Sequence, residues 1–110
     1  MRAPRDEKGD SVSYDPLAAI ESLDPELRER LREQNEFVYS DGALSRKVKL
    51  LIAMAFDAAH GAESGVRSLA NQAKQAGATN EEIAEALRVA YDLTGVGCLY
   101  TASSALKDLV

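Results

Sequence analysis

Between Ser45 and Ala59 the chain places apolar side chains at Val48, Leu51, Ile52, Ala55, Phe56 and Ala59. This is the i, i+3, i+4, i+7 recurrence of a helix face turned toward a core. Ser45 precedes the run as an N-cap, and Gly61 follows it where a helix is expected to stop. Leu50 and Met54 extend apolarity beyond the stripe. A helix apolar on more than one side is usually buried from more than one direction, and in so short a chain the second cover is expected from another subunit.

The next helical pattern runs from Ala62 to Ala76 and ends at Gly77, a residue suited to a left-handed C-terminal turn. Thr79 stands three residues before Glu82 in capping-box spacing, so a further helix is expected to begin at Asn80. Upstream, Asp15-Pro16 and Asp24-Pro25 each offer a cap followed by proline in the first turn. They predict a short helix through about Leu23 and a longer one to about Val38, with Leu27, Leu31 and Phe37 available for burial. The last helix begins near Val96. It carries Val96, Leu99, Ser103, Leu106 and Val110 on one side and the small residues Ala102, Ser104 and Ala105 on the other.

No segment reads as a strand. The expectation is an all-α fold, a single small domain of five or six helices over residues 14–110. A flexible N-terminal arm, residues 1–13, is expected to precede it, because its charges, Pro4, Gly9 and serines lack any apolar period.

A chain of 110 residues holds one domain at most, and a core of that size buries only about two-thirds of the unfolded surface, which makes oligomerisation plausible. The net charge of −5 disfavours a nucleic-acid partner, which calls for a basic face. Cys98 is the only cysteine, so neither an intramolecular disulfide nor a C-x-x-C knuckle can form. His60 is the only histidine, too few for an ordinary zinc site, and no metal or other cofactor is expected. The charged N-terminus has no apolar signal region, and no apolar run approaches a membrane span; a cytoplasmic protein is expected.

The run from Leu44 to Ala55, the run from Gln75 to Leu87, and Gly95 with the small-residue helix after it carry a family likeness. On these residues the chain resembles the carboxymuconolactone decarboxylase superfamily, which also holds the alkylhydroperoxidase D-like proteins. The resemblance implies that fold, with a helical hairpin over 45–76 at its centre, and assembly into trimers or hexamers. Its redox members use a glutamate, a C-x-x-C pair and a downstream histidine. Counting back from Ala76-Gly77-Ala78-Thr79, those positions fall on Leu50, on Ala62 and Gly65, and on Leu69. A dithiol peroxidase needs one thiolate to attack the peroxide and a second thiol to resolve it. A member without that centre is therefore expected, one that binds or transforms a small acidic or apolar molecule by proton transfer, as in lactone decarboxylation or isomerisation. A non-catalytic oligomeric scaffold or accessory subunit is the alternative, and redox chemistry through Cys98 with an external thiol is a third.

Four residues are candidates for that chemistry. His60 and Glu63 suit acid–base work, His60 because imidazole titrates near neutrality. Arg67 suits a bidentate grip on a carboxylate, and Tyr91 can donate a phenolic hydrogen bond. Each has a plainer reading: His60 as a helix C-terminal cap, Glu63 and Arg67 as an i, i+4 surface pair, Tyr91 and Tyr100 as packing. Cys98 reads as a small buried residue or a reactive thiol. Arg46, Lys47 and Lys49 crowd the start of a helix, where cations oppose the macrodipole unless partnered. Either an anionic ligand or the acidic segment 16–44 answers that need.

Overall fold

Local capping chemistry sets the helix boundaries. The computed structural model describes residues 15–110 and contains six helices there. They are α1 (Ala18–Leu23), α2 (Pro25–Tyr39), α3 (Arg46–Ala59), α4 (Glu63–Gln75), α5 (Asn80–Thr94) and α6 (Gly97–Leu106). The N-terminal arm expected over 1–13 lies outside the described residues. No described helix is long and apolar enough to cross a membrane.

The start signals act as the sequence implies. Asp24 Oδ1 accepts from Leu27 N at 3.0 Å, and Ser45 Oγ accepts from Val48 N at 3.2 Å. Thr79 and Glu82 close both arms of a capping box, with Glu82 N donating to Thr79 Oγ1 at 3.1 Å and Thr79 N to Glu82 Oε1 at 2.9 Å. Two helix ends are Schellman turns. After α3, Ala62 N donates to Asp57 O at 2.8 Å and Gly61 N to Ala58 O at 3.2 Å; after α4, Ala78 N donates to Ala73 O at 2.8 Å and Gly77 N to Lys74 O at 3.0 Å. Gly61 and Gly77 hold φ at +74° and +100°, where a Cβ is strained.

The described residues fall into two compact units, one up to Val38 and the other Tyr39–Val110. In the first, α1 and α2 contain no buried residue. Arg28 reaches Asp15 at 3.4 Å, and Arg32 pairs with Glu21 at 3.1 Å and Glu29 at 3.3 Å.

The second unit holds the core. α3 is its hub, packing on α4, α5 and α6, most extensively on α4. Leu50, Leu51, Met54 and Ala58 face inward against Val66, Ala70 and Ala73 of α4 and Ala102, Ala105 and Leu106 of α6. The buried residues of α6 are Cys98, Ala102, Ala105 and Leu106, drawn from both sides that the sequence distinguishes, while Ser104, Val96 and Val110 are exposed. Small side chains on α4 let its backbone approach α3 closely, and Leu50 and Met54 fill the space between.

This departs from the sequence reading of α3. Val48, Ile52 and Phe56, placed on its core stripe by periodicity, are exposed, whereas Leu50 and Met54 are fully buried. Periodicity counts both faces as apolar, and the volume of the neighbouring helices decides which is covered.

Candidate functional site: the α3–α4 turn and the α3–α5 groove

The turn joining α3 to α4 carries the three charged candidates. His60 is the C-cap of α3, and its ring Nδ1 lies 2.7 Å from Phe56 O. That carbonyl can only accept, so Nδ1 carries a proton. Glu63 opens α4 and accepts from Ser104 Oγ of α6 at 2.6 Å. Arg67, one turn further on, donates to Ala105 O at 3.0 Å. Lys74 extends the series by donating to Leu109 O at 2.5 Å and to Asn80 Oδ1 at 2.8 Å. Cations on the carbonyls at the end of α6 answer its negative dipole end. Glu63 and Arg67 thus both reach across to α6. Tyr91 lies on α5 about half exposed, and no described hydrogen bond joins it to the other three.

Leu50, Ala62, Gly65 and Leu69 are the positions at which the resemblance implies a redox centre. Leu50 is 1% exposed and part of the core, and Leu69 packs half-buried against it. Ala62 is the N-cap of α4 and offers no side-chain cap. Gly65 is the most informative. The half-buried Asp57 carboxylate lies directly against its Cα, and a Cβ at position 65 would overlap Asp57 Oδ2 and Cγ. A carboxylate beside the first turn of α4 also favours the positive end of a helix that lacks an N-cap side chain. Asp57 was not singled out by sequence. The clue was Gly65 itself, since glycine inside a helical pattern often marks close approach.

Cys98 is a free, buried thiol in the α6 core face. The cations at the start of α3 are partnered within the chain. Lys47 pairs with Glu82 at 2.8 Å, Lys49 donates to Ser40 O at 2.7 Å, and Arg46 reaches Gln72 Oε1 at 3.5 Å. Lys47 is the main reason the Glu82 carboxyl is held below the ordinary glutamate range, followed by the Thr79 amide. Among the described residues no group of three or more His, Cys, Asp or Glu is placed to hold a metal.

The concave feature of this unit lies on the opposite face of α3. Val48, Leu51, Ile52, Ala55, Phe56 and Ala59 form one wall of an open groove of about 550 Å³, and α5 forms the other. On α5, Ala86, Val89, Ala90 and Leu93 supply the apolar lining, with Glu82 and Glu85 at one end and Thr94 at the other. Ile52 is 43% exposed, Phe56 62%, Val89 61% and Leu93 78%. Together they leave a continuous apolar surface open to solvent.

Comparison with known proteins agrees with the fold. The carboxymuconolactone decarboxylase family matches over residues 25–108. Among solved structures, a carboxymuconolactone decarboxylase family protein from Legionella pneumophila, crystallised in its apo form, is 32% identical. It superimposes with a TM-score of 0.77 over 83% of this chain and 81% of its own. No curated protein matches the chain significantly.

Proposed function

This chain belongs to the carboxymuconolactone decarboxylase family, and on that premise we propose that it is a homo-oligomeric member without the dithiol peroxidase centre, acting by proton transfer on a small acidic or apolar molecule. The observation that carries this reading is the Asp57 carboxylate seated on Gly65, which takes the space a second thiol side chain would need. The burial of Cys98 supports it, since an enclosed thiol meets peroxide poorly.

The chemistry left to the α3–α4 turn is that of a lyase or isomerase. His60 presents a basic Nε2, fixed in its tautomer by Phe56 O. Arg67 engages Ala105 O through one nitrogen and has further donors for a carboxylate. Glu63, held by Ser104, is the second proton carrier, and Tyr91 is the phenolic donor. In a decarboxylation Nε2 of His60 first takes a proton from water, the bond to the carboxylate breaks, CO2 leaves, and the electron pair left on the substrate takes that proton back from Nε2.

Carboxymuconolactone itself is the probe. CO2 release by the purified chain is expected, falling about 100-fold or more in His60→Ala, with the melting temperature nearly unchanged. Equal turnover in the variant removes His60 from the mechanism. A folded wild type that releases no CO2 from it favours the second reading, a non-catalytic accessory subunit. That reading draws its support from Glu63 and Arg67, whose hydrogen bonds serve α4–α6 packing.

A further inference from the structure

We propose that the α3–α5 groove receives helix α2 of a second copy of this chain. The inference rests on the homo-oligomer reading and names its contact.

The groove is an open trough between two helices, the shape that an amphipathic helix fills. α2 is such a helix. Leu27, Leu31 and Val38 recur at i, i+4 and i+11 along one stripe, with Leu27 44% and Val38 41% exposed. A helix of its 15 residues with nothing buried is marginal in water and needs an apolar cover.

Length and charge select the occupant. Leu27 to Val38 and Val48 to Ala59 are equal stretches of helix, each roughly 16 Å at about 1.5 Å per residue. At about 3.6 residues per turn, Arg28 and Arg30 flank the α2 stripe on either side, while Glu29, Glu33 and Glu36 fall on the back. The polar residues at the mouth of the groove are acids, Glu82 and Glu85, both in the first half of α5. Glu82 already has Lys47. Arg30 pairs with Glu26 on the surface, a contact that exchanges at little cost, whereas the more enclosed Arg28 keeps Asp15. Matching Arg30 to Glu85 lays α2 parallel to α5, with Leu27 toward Val48 and Val38 toward Leu93.

Complementation tests this. One variant carries Leu27→Asp and Val38→Asp, and a second carries Phe56→Asp; sedimentation reads the mass of each alone and of an equimolar mixture. Wild type is expected to be assembled and each variant monomeric. The mixture should recover at least a dimer, because one copy retains its helix and the other its groove. An arm variant that assembles like wild type overturns the inference while leaving the oligomer intact. Two monomeric variants that stay apart on mixing overturn it as well, and a monomeric wild type overturns the homo-oligomer reading together with this one. Serine at the same positions repeats the comparison for any aspartate variant that loses its helical circular dichroism.

Discussion

α3 has two apolar faces of the same spacing and opposite fates. Leu50, Met54 and Ala58 recur at i, i+4, i+8 and are sealed against α4 and α6; Val48, Ile52 and Phe56 recur at i, i+4, i+8 and stand open to solvent beside α5. Hydrophobicity does not separate them. What does is their cover: the first face meets Ala70 and Ala73 of α4 and Ala102 and Ala105 of α6 in the core, whereas an open trough lies between α3 and α5 along the second. The closed face makes the fold, and the open one is free for a partner. Leu50, the position where the resemblance implies a glutamate, lies on the closed face.

The largest effect expected follows from that contrast. Met54→Ala or Leu50→Ala should cost about 2–5 kcal/mol of unfolding free energy through lost burial and a residual cavity. Ile52→Ala, measured in dilute solution where assembly does not contribute, should cost well under half as much because its side chain is already wetted. Equal losses in chemical denaturation would erase the distinction between the faces.

Next comes the turn at the end of α3. Gly65→Ala should destabilise by about 1–3 kcal/mol, since the added methyl displaces the Asp57 carboxylate. In an Asp57→Ala background the same change should cost much less, and thermal melts of the four proteins in the cycle read the coupling. Additive losses would mean that Asp57 does not define the space at position 65.

A smaller loss, about 1 kcal/mol, is expected for Thr79→Ala, which opens the capping box at the start of α5. Smallest is the pH effect of Glu82. Its folded carboxyl titrates below the ordinary value of about 4.3 because of Lys47 and then Thr79. The contribution is therefore present above that value and lost as pH falls through the folded one. Melting temperatures of wild type and Glu82→Gln should differ at pH 7 and converge below about pH 4. A gap that persists in acid would assign the effect to something other than charge.

What the sequence disclosed and what it hid divide by reach along the chain. Asp24, Ser45, Gly61, Gly77 and the Thr79–Glu82 box act over three to five residues and were legible, as were the all-α class and a count of five or six helices, of which six are present among the described residues. The Glu63–Ser104 bond spans 41 residues and the Arg67–Ala105 bond 38, and nothing local encodes either. The i, i+4 spacing of Glu63 and Arg67 suggested a mutual pair, yet both turn to α6, where an acceptor and a donor from the last turns are fixed in place. For α3, pattern alone chose a stripe of which Leu51 is buried and Val48, Ile52 and Phe56 are exposed. Leu50 and Met54 were visible as excess apolarity, and their burial depended on the alanines of helices elsewhere in the chain.

The most direct test of the two-faced α3 is urea unfolding of the wild-type chain across a hundredfold range of protein concentration. If assembly covers the open face, the unfolding midpoint rises with concentration, and Ile52→Asp abolishes the rise. A midpoint that stays constant across the range would contradict the account, because the open face would then have no copy of the chain to cover it.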